Sequence, residues 1–229
     1  MIHPKISDSE TAFWEHAQKL LMEVINETLE KQKECRLGLA GGTTPLALYQ
    51  FLAQQKLPWE RIRFIQLDER QVPVSDPESN LGALKKTLFE PAQIPAENIL
   101  AFNTELPADV TAEAMSTALI DLTHERFPLF DLLILGAGAD GHIASLFEGD
   151  ATLQGSYYAS PARAKGYPTE KRLTLTLLPL LSAEKALILL KGEEKKALFD
   201  KLSAQPAAEL PSALAKLTEK VPTEVLWCA

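Results

Sequence analysis

The segment LLILGAGADGHIASLF, Leu132 to Phe147, decides how the rest of the chain is read. An apolar run ends in Gly136, Gly138 and Gly141, which spell G-x-G-x-x-G. A strand followed by such glycines is how a dinucleotide-binding βαβ unit begins, because glycine lets the backbone approach a pyrophosphate. That unit should open the fold and be followed, about 20 residues on, by a strand ending in an acidic residue. Neither condition is met. The segment lies past the middle of the chain, and GSYYASPARAKGYP (155–168) reads as a loop with no strand ending in Asp or Glu. Two readings remain. The glycines make a tight strand-to-helix turn, or the turn carries backbone N–H groups and His142 to the top of a sheet.

Outward from this strand the pattern alternates. Towards the N-terminus, Phe13, Ala17, Leu20, Leu21, Val24, Ile25 and Leu29 recur at three- and four-residue steps, the period of an amphipathic helix. CRLGLAGG reads as a buried strand, and TTPLALYQFLAQ as a helix with Thr43 or Thr44 at its N-cap and Pro45 in its first position. RIRFIQLDER is a strand ending in charges, and PESNLGALKKTLFE a helix. A short strand near Ile99–Phe102 and a helix from about Asp109 to Arg126 lead into the central segment. Beyond it, RLTLTLLPLLSAEKALILLKGEEKKALFDKL gives strand, helical turn, strand and helix, and TEVLWCA a last strand. Such alternation predicts an α/β fold: a doubly wound, mainly parallel sheet with helices on both faces, Rossmann-like but without dinucleotide binding. No linker interrupts the 229 residues, so residues 1–229 form one domain in this reading.

Composition narrows the partners. The chain is 46% hydrophobic and 24% charged, within the globular range, and carries a formal net charge of −8. An acidic chain with no basic run makes nucleic acid an unsuitable partner, while a small anion can still be held by a few placed cations and N–H groups. No apolar stretch reaches the ~18 residues of a membrane span, and the N-terminus lacks a leader pattern. Cys35 and Cys228 stand far apart without C-x-x-C spacing and read as reduced thiols, so a cytoplasmic protein is expected.

In an open α/β sheet, ligands bind beyond the carboxyl ends of the strands. Each charged or glycine-rich motif falls at such an end. Of the four histidines, His3 lies in a terminus read as loose, and His16 and His124 lie within predicted helices. His142 follows Asp140-Gly141 at a predicted helix start, where the dipole disfavours imidazolium and leaves the ring able to accept a proton. A bound phosphate would push the other way. AGGTTP, with Gly41, Gly42, Thr43 and Thr44, is either an anion cradle at a helix N-terminus or an ordinary capped helix start. LDER puts Asp68 and Arg70 on one side of a strand and Glu69 on the other. Asp68, Asp140 and His142 have no metal-ligand spacing, so no metal is expected. Lys195 and Lys196 stand near a helix start, and Lys171 and Arg172 just before a strand; each is uninformative alone.

Together LAGGTTP, LDERQVPVSDPESN, LGAGADGHIASLF, KRLTLTLLPL and KGEEKKAL resemble, in content and order, the 6-phosphogluconolactonases, a family grouped with amino-sugar-phosphate deaminases and ribose-5-phosphate isomerases. The resemblance runs from about Leu37 to the final Leu-Trp. It implies hydrolysis of 6-phospho-D-glucono-1,5-lactone to 6-phospho-D-gluconate in the oxidative pentose phosphate pathway, by a monomer or homodimer with no metal or nucleotide cofactor. On this resemblance the glycines form the turn that presents His142. His142 is then the base that activates water. Arg70, or N–H groups near Gly138 and Gly141, hold the oxyanion. The phosphate lies on Gly41, Gly42, Thr43 and Thr44 with Arg172 and Lys195. Asn80 and Asp68 bind sugar hydroxyls or orient His142, and Asp140 is the other candidate for orienting it. The deaminases on the same fold carry a glutamate five residues after the histidine and a tyrosine after Asp-Glu; this chain has Phe147 and Arg70 there.

Overall fold

The computed structural model describes residues 2–149, 157–204 and 210–229. Its strands are β1 (Ile2–Ile6), β2 (Cys35–Leu39), β3 (Ile62–Gln66), β4 (Asp68–Arg70), β5 (Ile99–Leu100), β6 (Leu132–Gly136), β7 (Ala159–Arg163), β8 (Lys171–Leu175), β9 (Ala186–Lys191) and β10 (Thr223–Cys228). The helices are α1 (Glu10–Lys31), α2 (Thr43–Leu52), α3 (Asn80–Leu84), α4 (Ala108–Glu125), α5 (Leu177–Leu180), α6 (Lys196–Ala204) and α7 (Ser212–Lys220).

Seven strands form one sheet in the order β1-β10-β9-β6-β2-β3-β5, and every neighbouring pair is parallel. A buried parallel sheet needs cover on both faces, and strand alternation supplies two cores. Leu132 and Ile134 of β6 join Leu187 and Leu189 of β9 under α1, α2 and α3. Leu133 and Leu135 join Ala186, Ile188 and Leu190 against α4, α6 and α7 on the other face. This is the doubly wound α/β architecture expected from the alternation.

The chain reverses direction across the sheet between β2 and β6. From β2 it moves outward to β3 and β5, then returns to β6 on β2's other side and continues to β9 and β10. The crevice at such a switch point opens above the carboxyl ends of β2 and β6. AGGTTP leaves the first strand and GAGADGH the second.

Several expectations are corrected. The terminus holding His3 is not loose: β1 pairs with β10 along its whole length. LDER does not continue β3. At Leu67 the chain leaves the large sheet, donating to Leu39 O and accepting from Leu175 N, and Asp68–Arg70 enters a second sheet, β4-β8-β7, that is antiparallel. The stretch read as a loop after Tyr158 contains β7, and α7 had no counterpart in the sequence reading. The helix read in PESNLGALKKTLFE is α3 followed by a π-helical turn over Lys85–Phe89. The N-cap of α2 is Gly42 rather than a threonine, which puts Pro45 third in the helix.

Candidate active site

A cleft of about 360 Å³ lies over the switch point. One wall is the start of α2. Gly42 caps it at φ +94° with no side-chain hydrogen bond to the helix, so the first N–H groups of α2 remain open to the cleft. Gly41, Gly42, Thr43 and Thr44 line this wall. The amino end of a ten-residue helix with free donors and favourable dipole is suited to an anion.

Asp68, Arg70 and Asn80 form a second wall. The Asn80 amide donates to Asp68 O at 2.9 Å and to Asp68 Oδ1 at 3.3 Å, while the Arg70 guanidinium donates to Asn80 Oδ1. A Cβ on Gly41 would come within 2.0 Å of the Asn80 amide, so the glycine there makes room for this side chain. Behind the wall lies Glu69, fully buried, the partner that sequence reasoning left without a role. Its carboxyl accepts from Gln66 Nε2, Ser79 Oγ and the backbone N–H groups of Arg70, Asn80 and Leu81. It thereby fixes where α3 begins. The odd parity of Glu69 against Asp68 and Arg70 was the available signal.

The third wall is the turn after β6. His142 lines the cleft, and its Nδ1 lies 2.6 Å from Asp140 Oδ1. Burial raises the Asp140 carboxyl, but the hydrogen bond and charge of His142 outweigh it and hold the group below its ordinary value. An ionised carboxylate can only accept, so Nδ1 is the donor, and in the neutral ring the lone pair then falls on Nε2. Among the described residues none bonds Nε2. Asp68 is not the orienting group: it accepts from Ser145 Oγ at 2.7 Å and from Asn80.

Residues 142–149, the described residues after this turn, are not helical. Isolated bridges join Ala137 to Ile143 and Ile143 to Leu146, and Ala144 has φ +48°. His142 therefore does not begin a helix as expected, and Asp140 supplies the orientation instead. Phe147 packs on the imidazole at 4.5 Å between centroids, and Tyr167 meets it edge-on at 5.8 Å. Glu148 faces away and accepts from Ser212 N and Oγ at the start of α7.

Cations complete the cleft. Lys195 lines it, whereas Lys196 is turned to Asp200 and lies 5.3 Å from the Trp227 ring centroid. Arg172 does not line the cleft. It stands opposite Arg70 in the β4–β8 register, buried, with Nε unpartnered among the described residues. Burial first, and then the Arg70 charge, lower its pKa. Two guanidiniums side by side, one with a bare donor, make an electropositive corner. Gly138 lines the cleft, while Asp140 and Gly141 do not. Among the described residues, no group of three or more His, Cys, Asp and Glu side chains is arranged to hold a metal ion.

The sequence and the fold have known counterparts. Residues 8–227 match the family described as glucosamine-6-phosphate isomerases/6-phosphogluconolactonase. The chain belongs to that family. A 6-phosphogluconolactonase of Thermotoga maritima is 36% identical over 173 residues, 75% of this chain and 76% of that protein. One from Haemophilus influenzae is 33% identical over 190 residues, 80% of each chain. The crystal structure of 6-phosphogluconolactonase from Thermotoga maritima superposes with a TM-score of 0.86 over the full length of both chains, at 28% identity. Of the glycines in the β6 turn, Gly138 makes room for the Asp140–His142 pair. No helix of the described residues is long and apolar enough to cross a membrane.

Proposed function

We propose that the chain, acting as a single hydrolase domain, converts 6-phospho-D-glucono-1,5-lactone to 6-phospho-D-gluconate, a step of the oxidative pentose phosphate pathway, with His142 as general base. The observation that carries this reading is the Asp140–His142 pair at 2.6 Å on the cleft wall, within the same cleft as the open N-terminus of α2. The two 6-phosphogluconolactonases similar to this chain support the choice of substrate.

A lactone is an ester whose leaving group stays tethered. Its hydrolysis needs a base for the attacking water, donors for the oxyanion and a proton for the ring oxygen. With Nδ1 held by Asp140, His142 Nε2 takes the proton as water adds to C1, and returns it to the ring oxygen as the C1–O bond breaks. Asp140 stabilises the imidazolium in between. Arg70 and the N–H groups of the Gly138 turn are the donors for the oxyanion. Asp68, held by Ser145 and Asn80, accepts from sugar hydroxyls. The 6-phosphate rests on the N–H groups of Gly42, Thr43 and Thr44, with Lys195 as direct partner and Arg172 adding positive charge beside Arg70.

The test is an assay with freshly generated lactone, subtracting its unaided opening. His142→Ala is expected to lose about 10²–10⁴-fold in kcat while remaining folded. A purified variant with wild-type turnover overturns the role of His142, and a wild-type chain no faster than the blank overturns the activity.

A further inference from the structure

Two charged side chains line the cleft without a part in this mechanism, Lys191 and Glu194. Glu194 puts a carboxylate into a cleft read as taking a phosphate, where it offsets much of what Lys195 contributes. Arg70, bonded to Asn80, is assigned to the oxyanion rather than to the phosphate. A dianion seated here needs a further cation, and Lys191 is placed to be one. Leu187 and Leu189 of β9 pack in the core beneath α1 and α2, and Lys191 follows them at the same parity. Its side chain therefore emerges on the face where α2 begins with its free N–H groups.

Lys191 is already paired. Its ammonium lies 2.5 Å from Glu10 Oε1, and the same oxygen accepts from Trp14 Nε1 at 3.0 Å. The hydrogen bond from Lys191 and that from Trp14 lower the Glu10 pKa. Glu10 lies outside the cleft, in the first turn of α1, and is well exposed, while Lys191 is partly exposed. An exposed carboxylate is a weak hold on a lysine. A phosphate carries more charge and three acceptor oxygens, and it would meet Lys191 in a less solvated place.

We infer that Lys191 is a phosphate-selecting residue of this cleft and that Glu10 competes with the substrate's phosphate for its ammonium. The inference rests on the reading of the α2 N-terminus as the phosphate seat. It makes the two members of one ion pair act with opposite signs on substrate affinity, which a purely structural clasp between α1 and the sheet would not do.

The experiment compares Lys191→Met, Glu10→Gln and Lys195→Met with the wild type in two measurements: KM for 6-phosphogluconolactone against unphosphorylated gluconolactone, and calorimetric titration with inorganic phosphate. Lys191→Met is expected to raise KM for the phosphorylated lactone about tenfold, with a much smaller change for the unphosphorylated one. Glu10→Gln is expected to lower it roughly two- to fivefold. Phosphate binding should weaken in the first variant and tighten in the second. If both substitutions shift affinity in the same direction, leave it unchanged, or affect both lactones equally, the inference is overturned. Lys195→Met separates the two failures: a chain in which it too leaves phosphate affinity unchanged has its phosphate seat elsewhere, and both readings fall.

Discussion

Gly138 lies directly under His142: a Cβ at position 138 would stand 2.2 Å from His142 Nδ1 and 2.2 Å from Asp140 Oδ1. The hydrogen bond that orients the imidazole therefore occupies the space of a missing side chain. Contacts this close require movement, and both neighbours are parts of the pair rather than free chain ends. Gly138→Ala is expected to separate Asp140 from His142 and to cost about 10²-fold or more in kcat, since catalytic groups misplaced by about 1 Å lose that much. Circular dichroism and melting should show that the sheet persists. An alanine variant with unimpaired kcat would mean that the pair does not orient the base.

Glu69 calls for a different test because it touches no substrate. Five donors converge on its buried carboxyl, and it has none to give back. Glu69→Gln keeps the shape but puts an NH₂ group among groups that also donate. A buried polar mismatch of this kind costs about 1–3 kcal/mol. Denaturant unfolding should show a lower midpoint at unchanged slope, and KM should rise because Asn80 loses its anchor. Unchanged stability would mean that the Ser79–Leu81 turn is held by something other than this carboxyl.

What could be read in advance and what could not divide along sequence distance. The alternating apolar residues of Leu132–Gly136 and Ala186–Lys191 announce a sheet covered on both faces, because each residue's layer depends only on its parity. β1 could not be read: Ile-His-Pro-Lys-Ile buries little, and its pairing with β10 is made by backbone across more than 200 residues. The same holds for the turn after β6. Its glycines mark a turn, but the non-helical path of residues 142–149 depends on remote partners: Ser145 N reaches Thr174 Oγ1, and Ser145 Oγ reaches Asp68, 77 residues away. His142 was legible as the singular histidine at a strand end. Which aspartate orients it was not, because Asp68 and Asp140 both lie at strand ends and only packing separates them.

Acid should weaken the fold at the end of the sheet opposite the cleft. Burial raises the Glu34 carboxyl, but hydrogen bonds from Arg63 and Arg36 lower it further, so its folded pKa lies below the ordinary 4.5. A depressed carboxyl contributes stability that is complete above the unfolded value and is lost as pH falls through the folded one. Glu34→Gln should therefore be less stable than the wild type at pH 7, by about 1 kcal/mol after solvent screening. The gap should stay constant down to about pH 5 and close below it. Because Glu34 precedes β2 at its amino end, kcat should not follow this change. A stability gap that widens in acid would reverse the assigned sign.

The last prediction separates lactone hydrolysis from amino-sugar-phosphate chemistry on the same fold. The deaminases that this sequence resembles carry a glutamate five residues after the histidine. Here that position is Phe147, whose ring packs on His142 at 4.5 Å and brings no proton to the reaction. Glu148, one residue on, is tied to the start of α7 through Ser212. After Asp68-Glu69, where those enzymes have tyrosine, stands Arg70, a fixed cation bonded to Asn80. Opening an amino sugar and moving a proton between its C1 and C2 requires acid–base groups at both places; opening a lactone requires one base and a pocket for an oxyanion. Offered glucosamine-6-phosphate and 6-phosphogluconolactone in parallel, the wild-type chain is expected to open the lactone and release no ammonia above background. Phe147→Glu should reduce lactonase activity by about tenfold or more, because the ring that holds His142 is gone and a carboxylate beside the imidazole favours its protonated form, which cannot act as base. It should not create deaminase activity, since Arg70 still stands at the second position. Ammonia released by the wild type at a rate comparable to lactone opening would show that Phe147 and Arg70 do not decide the reaction.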